Sequence, residues 1–200
     1  MKKAKWAWKI TVIFPIIILL FSCNPMENET RSNSMLIVQN ITGTDIEDNE
    51  VNFLQSDVVI GTQTATADTA TVTLAAKLLN PEPLLGLGAS HYNDIKVTRY
   101  VVSYHRTDGK NVEGEDVPYS FEGSLSALVE IDSTTEISFV IVREVAKEES
   151  PLVDLREKGG ERVLEVEAKV EFYGHDLAGR KVKATGYLPI FFANYADEEG

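Results

Sequence analysis

The chain predicts an all-β domain, an antiparallel two-sheet sandwich of about seven to nine strands. Three observations predict it. Apolar and polar residues alternate at period two through much of residues 35–196. Clusters of Gly, Asn, Asp and Pro interrupt those runs at near-regular spacing. Only one stretch, near 151–158, carries the start and stop pattern of a helix.

The elements follow in chain order. Residues 1–9 hold four lysines and no acid, and residues 10–22 hold no charge at all. A basic head followed by an apolar run of this length is the pattern of an export signal. A spanning helix needs about 20 apolar residues, and the run from Ile10 to Ser22 is shorter, with Lys9 before it and Asn24-Pro25-Met26-Glu27 after it. Residues 1–22 are therefore expected to be a signal peptide. Residues 23–34 lack apolar periodicity and read as a polar tether, with a random-coil reach of roughly 15–20 Å.

The domain expected over 35–196 opens with a strand at Met35-Leu36-Ile37-Val38, ended by Asn40 and a Thr42-Gly43-Thr44-Asp45 turn. From Ala70 to Leu79, Val72, Leu74, Ala76 and Leu78 share a face. A helix is conceivable there, but the Thr-rich approach and the Asn80-Pro81 stop favour a strand. Ile95 to Tyr104 is rich in β-branched and aromatic residues and closes at an Asp108-Gly109 turn signal. Val117, Tyr119 and Phe121 alternate, then Leu125, Ala127, Val129 and Ile131, then Ile137, Phe139 and Ile141. Ser150 as a cap, Pro151 at the first helical position, an apolar stripe of Leu152, Val153 and Leu155, and Gly159 as a stop predict a two-turn helix.

A hairpin closes the chain. Leu164, Val166, Ala168, Val170 and Phe172 form an apolar face, Gly174 to Gly179 the turn, and Val182, Ala184, Leu188, Ile190 and Phe192 the returning face. Glutamates on the first strand and Lys181 and Lys183 on the second favour this register. Pro189 marks an edge or a bulge. Residues 197–200 are an acidic tail. An immunoglobulin-like Greek key is the commonest sandwich of this kind. A closed barrel is the alternative, and a transmembrane barrel is disfavoured by charged outward faces.

Leu20-Phe21-Ser22-Cys23, at the end of the apolar run, resembles the lipobox of bacterial lipoproteins: an aliphatic residue, a small residue at −1, then the modified cysteine. Phe21 is bulkier than the residue usual at −2. The resemblance implies cleavage before Cys23, a thioether-linked diacylglycerol on its sulfur, and acylation of the new amine, palmitate being a usual chain. Asn24 rather than Asp after the cysteine implies the outer membrane over the inner one. The mature part, through its last hairpin, resembles uncharacterised bacterial lipoproteins with an immunoglobulin-like sandwich, and that likeness implies no activity.

Loss of residues 1–22 moves the net charge from −12 to −16. A surface so acidic repels nucleic acid, so no nucleic-acid partner is expected. Cys23 is the only cysteine, which excludes a disulfide and a cysteine-based zinc site.

Candidate chemistry is sparse. His91, His105 and His175 lie in turns and strand ends without metal-ligand spacing. Gly86-Leu87-Gly88-Ala89-Ser90 fits neither a nucleophile elbow nor a dinucleotide loop. Asp45-Ile46-Glu47-Asp48-Asn49-Glu50 and Glu113-Gly114-Glu115-Asp116 offer carboxylates for calcium, though Glu50 stands where an EF-hand loop needs Gly, and solvated charge is the plainer account. Pairs of acids suited to a glycosidase are too numerous to single out. No catalytic, cofactor or metal residue is therefore assigned. The expected site residue is Cys23, as lipid attachment. The expected function is a membrane-anchored, non-enzymatic lipoprotein whose sandwich binds an envelope protein or supports an envelope assembly. A hydrolase or carbohydrate-active domain is the alternative, and a carrier for an apolar ligand a further one.

Overall fold

In a computed structural model, residues 32–59, 65–80, 90–156 and 162–195 are described. The chain divides after Thr30, and all of these residues belong to the second unit. Residues 1–22, expected to be a signal peptide, Cys23, most of the expected tether and the residues 197–200 read as an acidic tail lie outside the described residues.

The elements are β1 (Ser34–Thr44), β2 (Glu50–Val51), β3 (Leu54–Asp57), β4 (Asp68–Leu78), β5 (Ile95–His105), β6 (Phe121–Val129), β7 (Thr134–Val142), α1 (Glu144–Lys147), α2 (Val153–Arg156), β8 (Leu164–Asp176) and β9 (Lys181–Ala193). They form two sheets, β2-β1-β4-β7 and β3-β9-β8-β5-β6. The all-β sandwich is thus as expected. β1-β4-β7 against β9-β8-β5-β6 is the Greek-key order of immunoglobulin-like domains. All named pairs are antiparallel except one, since β3 joins β9 in parallel.

That parallel pair has a local cause. After β1 the chain folds back as β2, pairing Gly43 with Val51, and then crosses to the edge of the other sheet as β3. The crossing passes so close to β1 that a Cβ on Gly43 would stand 2.5 Å from the Phe53 carbonyl oxygen. Only glycine leaves that room. β3 pairs with β9 from Ile190 onward, so Pro189, which has no N–H to donate, is the residue just before the edge is covered.

β1 does not end at Asn40. A bulge between Val38 and Asn40 shifts the inward parity, from Leu36 before it to Ile41 after it, and the strand continues to Thr44. A second bulge, between Val97 and Arg99, moves the inward set of β5 from Ile95 and Val97 to Tyr100, Val102 and Tyr104. β6 starts at Phe121, later than the alternation from Val117 suggests. Val117 is buried in the preceding loop, and Tyr119 is exposed there.

The core lies between the sheets. Tyr100 meets Phe139 edge-on at 5.1 Å between ring centroids, and Phe139 meets Phe172 at 5.4 Å. Fully buried side chains such as Phe172, Phe192, Leu188 and Ile190 each contribute about 1.5–3 kcal/mol relative to exposure. The predicted hairpin forms with Phe172 opposite Ala184. Its turn is shorter than expected, because β8 runs on to Asp176. Glutamates do not face lysines directly: Lys183 lies opposite Tyr173 and reaches diagonally to Glu171 at 2.6 Å, while Lys169 reaches the same carboxylate along its own strand at 2.9 Å. The short helix expected near 151–158 is present as α2, described from Val153 to Arg156 with residues 157 and 158 outside the described residues, and a further helical turn, α1, precedes it. The Ser150 hydroxyl meets the Asp154 carboxylate rather than capping the backbone, so the helix begins at Val153.

Candidate functional site

The strand directions give the sandwich two unlike ends. The chain enters at one end. Ser32 and Ser34, residues of tether composition, are buried there: the Ser32 hydroxyl donates to Asp176 Oδ2 at 2.7 Å, and the Ser34 hydroxyl to the Asn93 carbonyl at 2.6 Å. Asp176 also accepts the Arg180 N–H at 2.8 Å, and Asp94, equally buried, accepts the Ile131 N–H at 3.0 Å. Both carboxylates are occupied in fixing backbone, which is how buried acids are usually satisfied.

His91 stands at this end, its Nδ1 3.2 Å from Asp94 Oδ2, beside a 430 Å³ cleft that Ser90, Tyr92, Glu130 and Ile131 also line. Ser90, His91 and Asp94 do not form a catalytic triad. The Ser90 hydroxyl donates to Asn93 Oδ1, and the His91 side chain is 97% exposed rather than enclosed. His175 is on the same end but bonds the Asp176 carbonyl, whereas His105 lies at the opposite end of β5 beside Ser103. The three histidines do not converge.

The far end carries the two long excursions, residues 106–120 between β5 and β6 and residues 143–163 between β7 and β8. Between them lies the larger cleft, 610 Å³, lined by Arg106, Asp108, Asp154, Leu155, Arg162 and Glu165 among others. Arg106 forks onto Asp108, holding that carboxyl below the usual range, and the backbone N–H of Arg106 bonds Asn111 Oδ1 at 2.6 Å. The lining alternates in sign, an arrangement suited to a partner segment that itself carries both signs.

A buried ion pair fixes this end. The Lys147 side chain, fully buried, donates to Asp68 Oδ1 at 2.8 Å, and the Ser56 hydroxyl donates to Asp68 Oδ2 at 2.6 Å. Burial pushes the Asp68 carboxyl upward, and Lys147 opposes that shift. Nearby, the buried Tyr104 hydroxyl donates to the Ile141 carbonyl at 2.6 Å, and burial raises its pKa well above the ordinary phenol range. The pair ties α1 to the first residue of β4. Nothing in the sequence around Lys147 announces this, because Arg143 to Glu149 reads as a solvated charged stretch. Arg143 lies with its guanidinium 4.9 Å from the Phe121 ring centroid.

The acidic clusters are loop staples. Asp45 Oδ1 accepts the N–H groups of Glu47 and Asn49, each at 2.9 Å, and its bonds to the Asn49 side chain and backbone hold its carboxyl low. Asp116 accepts the Val112 N–H at 3.1 Å, and Glu113 the Ser120 N–H at 3.2 Å. Among the described residues, no group of three His, Cys, Asp or Glu side chains comes together to hold a metal ion. No helix among them is long and apolar enough to cross a membrane. Gly86 to Ala89 lie outside the described residues, as does Cys23. No protein-family model matches the chain, and no curated protein matches it.

Proposed function

We propose that the protein is an exported lipoprotein, held on the outer membrane through acylated Cys23, and that its immunoglobulin-like sandwich binds another envelope protein with the end remote from the tether. The observation that carries the reading is the opposition of the two ends. The chain enters at Ser32, and both long excursions and the larger cleft lie at the far end of the strands. Loops on a rigid β-scaffold are a common seat of recognition. The staples within residues 106–120 and the Lys147–Asp68 pair preorganise that end, which lowers the ordering cost of binding.

The test is photo-crosslinking in intact cells from exposed apolar positions. Val112 and Val145 stand at the far end, 56% and 44% exposed. A crosslinker at either should capture one recurrent envelope protein, and a crosslinker at Tyr187, exposed at mid-sheet, should not. Recovery of the same species from all three positions, or of none from Val112 and Val145, would refute the assignment.

A further inference from the structure

The tether end carries a set of exposed apolar side chains that packing does not use: Met35, Leu79, Tyr92 and Leu177. Backbone and side-chain hydrogen bonds hold them together on one end. The Leu79 N–H bonds the Asn33 carbonyl, the Ser34 hydroxyl bonds the Asn93 carbonyl, and the Leu177 N–H bonds the Asp94 carbonyl. Among the described residues, Lys77, Lys96, Arg180 and Lys181 stand around them with the exposed acids Glu130 and Asp132, and Lys77 pairs with Asp132 at 2.8 Å. Asp94 and Asp176 are buried here and spend their oxygens on internal bonds. At the far end acids predominate among the described residues, with Glu47, Asp48, Glu113, Glu115, Glu148 and Glu149 exposed beside the exposed cations Lys110 and Arg162.

We infer that this end seats on the lipid surface, with Tyr92, Leu79, Met35 and Leu177 at the headgroup level and the lysines beside them near lipid phosphates. The inference rests on the proposed anchoring through Cys23. Eight residues lie between Cys23 and Ser32, and the nine Cα–Cα steps give a random-coil reach of about 15–18 Å, so the end is held within contact range of the bilayer. Tyrosine is suited to the interface because its ring is apolar and its hydroxyl wet, and lysine stems lie along apolar surface while the ammonium stays in water. Each Lys or Arg near an anionic surface strengthens binding about fivefold. A bilayer is favoured over a protein partner because the chain itself delivers this end to it, and because Lys77, Lys96, Arg180 and Lys181 stand with the apolar side chains here.

The test uses the protein exported, cleaved before Cys23 and acylated, which loses Trp6 and Trp8 with residues 1–22, so that an introduced tryptophan is the only one. Tyr92→Trp and Leu177→Trp report on the tether end, and Tyr119→Trp, at an exposed far-end position, is the reference. In phosphatidylethanolamine–phosphatidylglycerol vesicles with brominated acyl chains, the two tether-end reporters should shift to the blue and be quenched, and Tyr119→Trp should do neither. Absence of quenching at both tether-end positions, or equal quenching at all three, would overturn the seating. So would a Tyr92 photo-crosslink in cells that yields protein rather than lipid. Flotation of Cys23→Ser beside the parent protein separates the two readings. If Cys23→Ser floats as the parent does, the anchor is wrong; if only the parent floats and its reporters stay unquenched, the anchor stands and the seating fails.

Discussion

Lys147→Met is the sharpest perturbation of the far end, because it removes one partner of a buried ion pair and keeps most of the side-chain volume. The Lys147 side chain is fully buried and its Nζ lies 2.8 Å from Asp68 Oδ1. Removal leaves a carboxylate whose remaining partner in this cluster is the Ser56 hydroxyl. Breaking such a pair costs about 3–5 kcal/mol. At about 2–4 °C per kcal/mol for a domain of this size, the melting temperature should fall by roughly 6–20 °C. The loss should depend on pH, with a sign that follows from Asp68. Its folded pKa is already raised by burial, so its protonated form favours the fold, and that advantage is lost as pH rises through the folded value. Without Lys147 the folded value moves higher still, and the window of lost stability widens upward. Denaturant unfolding of parent and variant at pH 5 and pH 8 should therefore give a smaller difference at pH 5. Replacing both partners, as Lys147→Met with Asp68→Leu, should recover most of the loss, since an apolar pair leaves no buried charge. A loss below about 1 kcal/mol, or one equal at both pH values, would refute this account of how residues 143–163 are held.

Further outcomes follow from the same structure. The hydrogen bonds from Lys183 and Lys169 hold the Glu171 carboxyl at about 2, so it stabilises the fold above the ordinary carboxylate range and loses that effect as pH falls toward 2; a carboxyl-carbon NMR titration should find that midpoint, and Glu171→Gln should cost below about 1 kcal/mol, less in high salt. Asp176→Ala should release the entry of the chain, costing about 1–3 kcal/mol and speeding amide exchange at Arg180 and Ser34, because Ser32 and the Arg180 N–H lose their acceptor. Gly186→Val should destabilise by about 1–3 kcal/mol in denaturant unfolding, since even a Cβ there would stand 2.6 Å from Ile41 Cδ1 and 2.7 Å from Val38 Cγ1. Cys23→Ser should be exported and folded by circular dichroism yet missing from the membrane fraction, since two or three acyl chains are what makes such anchoring stable.

What the sequence disclosed was decided by whether local pattern and tertiary role agreed. In β8 and β9 they agree: the inward set from Leu164 to Phe172 and from Ala184 to Phe192 keeps one parity, so the hairpin is legible residue by residue. β1 and β5 break parity at their bulges, and period-two reading ends β1 at Asn40 because it has no means of seeing an extra residue absorbed by the partner strand. The crossing to β3 is invisible for another reason. Leu54 to Asp57 is only four residues long, and its partner lies far along the chain in β9. At the site level, Asp108-Gly109 and the acidic loops were readable as turns. Lys147 was not, since its burial is created by α1 folding over the first residue of β4, a long-range event that leaves no local signature.

The unlike ends bear on each other through distance. β8 and β9 are 13 residues each, which at about 3.3 Å per residue separates the two ends of the sandwich by roughly 40 Å. Exposed charges act over a Debye length of about 8 Å at physiological ionic strength. With the tether end down, the acidic far end therefore lies several screening lengths from any anionic headgroup, and its charge costs nothing against the membrane. If the sandwich lay on its side, the exposed glutamates of the hairpin, Glu165 and Glu167, would meet the same headgroups at contact. The asymmetry thus favours one orientation on both counts, attraction at the tether end and repulsion along the flank. Reversing it gives the test: changing Lys96 and Lys181 to Glu should weaken the tether-end seat by about 1 kcal/mol for each positive charge lost, and more in low salt. A tether-end tryptophan in that variant should lose its quenching while flotation through Cys23 persists; unchanged quenching would mean that charge does not set the orientation.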